Sequence, residues 1–186
     1  FEESHFQLFT PVSEFIPEFR NLQVFIEEDP ETGAWVTEKP NHPVTIHELL
    51  THTSGLTYGL QAAHHPVARR YNEMQLEGDA LSLDQLVDKI LEQPLAFQPG
   101  SRWHYSVSID VLARVVEIIS GKSIDQFLQQ RLFDPLGMKD TCYFLPTEKY
   151  GRLSEIYCIA NWFDHGNTPE DLEQQWLSLI HISEPT

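Results

Sequence analysis

Basic residues are scarce in this chain. Of its 186 residues 12 are Lys or Arg and 28 are Asp or Glu, which gives a formal net charge of −16 and a pI near 4.8. Such a field repels nucleic acid and anionic membrane surfaces, so neither is expected as a partner. Cysteine is nearly absent: Cys142 and Cys158 are the two present, and neither sits in a C-x-x-C pair. That excludes a zinc knuckle and a thioredoxin-type redox site. The two can form one disulfide or stay as two buried thiols, so the compartment, cytoplasmic or periplasmic and secreted, is left open. No run reaches the roughly 20 apolar residues of a membrane span, and no signal peptide stands at the start. Glycine-rich phosphate loops are missing as well. GLTYG at 55–59 is neither a P-loop nor a dinucleotide fingerprint, and the strand-elbow motif G-x-S-x-G is absent. There is no internal repeat and no low-complexity segment.

What is present suffices for a folded domain. Hydrophobic residues make up 41% of the chain and aromatics 11%, enough for one core. The first 18 residues are broken by Pro11 and Pro17 and read as a turn with a brief helix, PVSEFI. LQVFI (22–26) is rich in strand formers, EEDPETG (27–33) reads as a turn, and 34–37 is the return strand of a hairpin. Three capping-box patterns then mark helix starts: Thr45 with Glu48, Ser82 with Gln85, and Ser123 with Gln126. A further helix is expected near 65–77. The longest is expected over 108–120, with Ile109, Val111, Leu112, Val115, Val116, Ile118 and Ile119 apolar, and Gly121 as its stop. The last ten residues, LSLIHISEPT, resemble a translated sequencing adapter. Residues 1–176 are therefore expected to be one partial domain and 177–186 a non-native tail. The start at Phe1 fits an internal stretch of a longer protein.

The nine histidines invite a metal reading that their spacing argues against. His47 and His52 frame HELLTH, five residues apart. At about 100° per residue their rings point roughly 140° apart, whereas zinc binding from one helix face needs the i, i+4 spacing. No third ligand is evident, and no metal site is expected. His64 and His65 read as surface residues beside a proline. Glu27, Glu28 and Asp29 read as a solvated turn.

The segment GSRWHYSVSIDVL (100–112) is the stronger signal. A Pro-Gly turn is followed by Trp103, His104 and Tyr105 and then by a helix. A tyrosine before a helix is usually structural, its ring in the core and its hydroxyl on a carbonyl. This arrangement, however, holds a phenol rigidly at a loop–helix junction, where it can face a cleft.

Three segments together carry a resemblance: FEESHFQL with PVSEFIPEF, then VTIHELLTHTSGLTYG, then FQPGSRWHYSVSIDVLARVVEIISGKSIDQFLQQRLFDPLGM. In that order and spacing they resemble the serine hydrolases that include class C β-lactamases, D-alanyl-D-alanine carboxypeptidases and related bacterial esterases. The resemblance covers nearly all of residues 1–144. It implies an α/β fold of the β-lactamase/transpeptidase type, here mostly helical with a small β-hairpin, the main antiparallel sheet lying largely outside this stretch. It implies a serine and a lysine in an S-x-x-K motif and a tyrosine aimed at them. Tyr105 matches that tyrosine. A free phenol, with a pKa of about 10, is a weak base at neutral pH until a nearby ammonium lowers it. So tuned, Tyr105 is expected to be the general base that takes the serine proton and returns it to the leaving group.

Two departures qualify the match. None of the five lysines has a serine three residues before it, so S-x-x-K is missing and is expected just upstream of Phe1. No K-T-G or H-x-G strand motif follows Tyr105 convincingly, and the chain by itself is expected to be inactive. Val107 stands where β-lactamases of this type usually keep asparagine, and valine cannot hydrogen-bond a substrate carbonyl. This favours a carboxylesterase that holds a small-molecule ester by apolar contact. A β-lactamase or D-alanyl-D-alanine carboxypeptidase acting on an amide, or a non-catalytic binding protein of the same fold, are the alternatives. Val107 and Tyr58 are the expected substrate-contacting residues, and Trp103 and His104 are expected to pack and orient Tyr105. No cofactor is implied, and the oligomeric state is not legible.

Overall fold

The computed structural model describes residues 4–59, 65–74 and 81–154. The chain divides into two compact units, one of residues 1–76 and 81–127, the other of residues 77–80 and 128–186. The first unit carries the core and every candidate residue named above.

It opens with two 3-10 helices, Val12–Glu14 and Pro17–Asn21, where the sequence suggested one short helix. Pro17 explains the break: it opens the second helix, since its missing N–H is no loss at a first turn. The hairpin follows as β1 (Val24–Glu28) and β2 (Trp35–Glu38), antiparallel, each slightly later than expected from sequence. The shift has a local cause. Asp29 accepts hydrogen bonds from the N–H groups of Glu31 and Thr32 at 2.8 and 2.9 Å, which tightens the turn to the residues after Glu28. The register slips between Phe25 and Glu27, an irregularity that bends the ribbon.

Three of the helices begin where their caps predict. In α1 (Ile46–Leu50) the Thr45 side chain accepts the Glu48 N–H and Glu48 reaches back to the Thr45 N–H at 2.8 Å. In α3 (Leu83–Leu91) Gln85 accepts the Ser82 N–H at 3.1 Å. The helix between them, α2 (Pro66–Glu73), has a cap that sequence reading missed. His65 is half-buried, and its Nδ1 accepts the Val67 N–H at 3.2 Å while its ring meets Phe25 edge-on. It is a structural histidine and not the surface residue expected; His64 lies outside the described residues. The long helix α4 (Ser108–Ser120) matches its expected bounds and ends at Gly121 in the left-handed conformation. For α5 (Ile124–Leu128) the first N–H is taken by Glu117 Oε1 at 2.9 Å.

Helix α4 packs against α1 and α3. Its Val111 and Val115 are fully buried. Burying each contributes about 1.5–3 kcal/mol relative to an exposed side chain. Around them lie Val12, Val24, Ile46, Leu49, Leu56, Val67, Tyr71, Ile90 and Leu95, which form one continuous core. Leu95 ties the hairpin to it: Phe25 N–H donates to Leu95 O and Leu95 N–H to Gln23 O, both at 2.8 Å.

In the second unit a π-helical turn, Gln129–Phe133, precedes a 3-10 helix, Thr147–Arg152. Arg152 holds both oxygens of Asp140 at 2.7 Å, and that guanidinium pulls the Asp140 carboxyl well below the usual carboxylate range. Cys142 is exposed and is not a buried thiol; Cys158 and the tail at 177–186 lie outside the described residues. Among the described residues no helix is long and apolar enough to cross a membrane.

Candidate active site

The site is built from two loop segments pinned to each other. One follows α1 and runs through HTSGLTYG (52–59); the other runs from Leu95 to the start of α4. Their backbones exchange four hydrogen bonds: Ala96 N–H to Gly55 O at 2.7 Å, Gly100 N–H to Thr53 O at 2.8 Å, His104 N–H to His52 O at 2.8 Å and Val107 N–H to Thr57 O at 3.2 Å. The approach is so close at Gly55 (φ +88°) that a Cβ there would stand 2.3 Å from the Phe97 carbonyl oxygen. Only glycine fits.

This pairing fixes which side chains face out. Residues 102–106 form an irregular segment before α4. Trp103 and Tyr105 are solvent-facing, 67% and 51% exposed. His104 turns inward and is half-buried. Its Nε2 lies 2.9 Å from Thr57 Oγ1, and its ring meets Phe97 edge-on. Burial first, and then the Arg102 guanidinium, hold the His104 imidazole below its ordinary pKa. His65 is held down by burial in the same way, then by Arg102 and His104.

Tyr105 has two ring neighbours. His52 lies 5.0 Å away and Tyr58 5.7 Å away, centroid to centroid. Tyr58 is half-buried, packed against the core as well as against Tyr105. The structure thus brings Tyr105 and Tyr58 together. It does not bring Val107 with them: that side chain is 3% exposed and belongs to the core. The chain turns inward at Ser106 to start α4, and Val107, as the cap residue, is carried under the surface. In this placement the Val107 side chain packs in the core, while Trp103 is exposed.

Nothing in the sequence spacing marks His52 as a neighbour of Tyr105. His52 adopts φ +53°, rare for a residue with a side chain, and its Nδ1 lies 3.3 Å from Ser106 Oγ. His47 has a different neighbour, the ring of Phe9 at 5.4 Å. The two histidines do not converge, and among the described residues no cluster of three potential ligands occurs. A cavity of about 490 Å³ lined by Gly33, Trp35, Arg70, Glu73, Met74, Glu92 and Gln93 shares no residue with this cluster. Tyr105 stays half-exposed, away from that cavity.

The Beta-lactamase family model matches residues 1–173, and the chain belongs to that family. It is 35% identical over 139 residues to Esterase EstB of Burkholderia gladioli, covering 74% of this chain and 32% of the relative. It is 34% identical over 112 residues to Lovastatin esterase of Penicillium rubens, covering 60% of this chain and 27% of the relative. The chain thus spans about a third of the length of these curated relatives or less. Among solved structures it is similar to EstCE1, a hydrolase with promiscuous acyltransferase activity, with TM-score 0.62, 27% identity, and coverage of 80% of this chain and 36% of that one. Simvastatin synthase (LovD) from Aspergillus terreus also gives TM-score 0.62, at 26% identity, covering 81% of this chain and 35% of the other.

Proposed function

We propose that this chain carries the tyrosine-bearing part of a serine acyl hydrolase, a carboxylesterase, in which Tyr105 is the general base. The observation that carries the reading is the placement of Tyr105: half-exposed, on a segment pinned by backbone bonds, in contact with the rings of His52 and Tyr58. The esterases among the relatives support ester chemistry. The nucleophilic serine and its lysine come from an S-x-x-K motif outside residues 1–186. The serine hydroxyl gives its proton to the Tyr105 oxygen as it attacks the ester carbonyl, and the phenol returns that proton to the leaving alcohol. Water then repeats the sequence on the acyl-enzyme. The exposed Trp103, two residues before Tyr105, offers an aromatic surface to the acyl or alcohol part.

The test is hydrolysis of short-chain nitrophenyl esters by the protein extended upstream to include S-x-x-K. Tyr105→Phe should lower kcat by about 10²–10⁴-fold, the range for a removed general acid–base. Residues 1–186 alone should be inactive. An open reading frame without S-x-x-K upstream, or a Tyr105→Phe variant with full activity, overturns the proposal. A second reading is acyl transfer to an alcohol in place of water. It is favoured by the relative named monacolin J acid methylbutanoyltransferase of Aspergillus terreus, 30% identical over 135 residues. Product analysis with an added alcohol acceptor separates the two.

A further inference from the structure

A buried chain of hydroxyls ends on His52, the ring neighbour of Tyr105. Ser54 Oγ is 2.8 Å from Ser108 Oγ, Ser108 Oγ is 2.7 Å from Ser106 Oγ, and Ser106 Oγ is 3.3 Å from His52 Nδ1. All three serines are buried, at 1%, 0% and 3% exposure. The direction of these bonds follows from counting protons. Three links join the four groups, and each link uses one proton. Were Nδ1 protonated, four protons would compete for three links, and one hydroxyl proton would be left buried without an acceptor. With Nδ1 unprotonated the count closes. Ser54 donates to Ser108, Ser108 to Ser106, and Ser106 to Nδ1, while Ser54 Oγ accepts the Leu56 N–H at 3.2 Å. Burying an unpaired hydroxyl is costly, so this direction wins.

Two consequences follow for His52. Its proton sits on Nε2, and its ring angle is set by a bond from beneath. Its backbone is held too: the carbonyl accepts the His104 N–H, and the next residue's N–H donates to Glu48 O at 2.9 Å. A ring anchored by one side-chain hydrogen bond on a pinned backbone, 5.0 Å from the Tyr105 ring, restricts how that phenol can swing. Because the serine chain ends inside the protein at Ser54, it is no route for protons to solvent; it is an anchor.

We infer that His52, locked as the neutral Nε2–H imidazole by the Ser54–Ser108–Ser106 chain, is a positioning residue that sets the orientation of Tyr105. The inference rests on the proposed general-base role of Tyr105 for its catalytic consequence, while the lock is measurable without activity. Long-range proton–nitrogen NMR of residues 1–186 at about pH 8, above the usual histidine pKa of about 6.5, reads the tautomer. His52 should show a protonated Nε2 and bare Nδ1, and Ser106→Ala should mix the two forms and shift the Tyr105 ring resonances. A protonated Nδ1 in the unsubstituted chain, or a Ser106→Ala spectrum unchanged at both residues, overturns the lock. In the protein extended to include S-x-x-K, Ser106→Ala and His52→Asn should each lower kcat about tenfold with KM within about twofold, as expected when a reacting group is misplaced. Asparagine tolerates the positive φ, so His52→Asn removes the ring without straining the backbone. If both variants keep kcat while Tyr105→Phe abolishes it, the positioning role fails alone. If Tyr105→Phe also keeps kcat, the functional reading fails, and the tautomer result still decides the lock.

Discussion

Replacing Gly55 by alanine tests the pairing on which the site depends. The new Cβ would stand 2.3 Å from the Phe97 carbonyl oxygen and 3.2 Å from Leu95 Cβ, at a backbone φ of +88°. The positive φ alone costs a residue with a side chain about 1–2 kcal/mol. Relieving the contact means separating the two loops, which breaks the Ala96 N–H bond to Gly55 O, a further ~1 kcal/mol. The expected loss is about 2–3 kcal/mol, which for a chain of this length lowers Tm by about 4–12 °C. Gly121→Ala is the internal control. It has a positive φ as well, +66°, but nothing within 4 Å of the added carbon, so it should cost only the conformational part, about 1–2 kcal/mol. Urea unfolding followed by tryptophan fluorescence compares the two. Equal losses at the two glycines would refute the claim that close approach, and not backbone conformation alone, requires Gly55.

Other expectations are simpler. Tyr71 is fully buried, its hydroxyl lacks a hydrogen-bond partner among the described residues, and burial raises its pKa. Tyr71→Phe keeps the ring and should stabilise the chain by about 1 kcal/mol or more in urea titration; a loss of stability would contradict the orphaned hydroxyl. Thr45→Ala removes the cap of α1 and should cost about 1 kcal/mol, read as a lower urea midpoint. His104 and His65 are both held below the ordinary imidazole value. Above about pH 6.5 they are neutral whether folded or unfolded, and the stability from keeping them neutral is fully present. As pH falls further the unfolded chain takes up protons first, so stability drops through the lower folded values. The urea midpoint should fall with acidification over that window, and His104→Gln should flatten the slope; an unchanged slope would discount His104.

Much of the helical frame was legible because its signals are local. Thr45 with Glu48, Ser82 with Gln85, and Gly121 after an apolar run each settle a helix end from neighbours within one turn. The hairpin bounds slipped because Asp29 captures the turn through its own side chain, a choice the strand pattern does not display. Tyr105 was legible only through the resemblance, since the burial of a tyrosine depends on distant packing. Val107 shows the limit of motif reasoning. A position in a motif fixes the residue's place along the chain, whereas the turn into α4 decides which way the side chain leaves. His52 and the three serines could not be assembled beforehand. They lie 54 residues apart across the pairing, and a hydroxyl chain has no sequence period.

One amide has a consequence for anyone recombining members of this family. Gln98 accepts the Asn41 N–H at 2.8 Å and donates to Glu38 Oε1 at 2.7 Å and to the Lys39 carbonyl at 3.2 Å. It couples the exit of the hairpin to the segment that delivers Tyr105. A chimera that transplants 95–107 without 38–41, or the reverse, severs that coupling, so the two stretches are best exchanged as a single cassette.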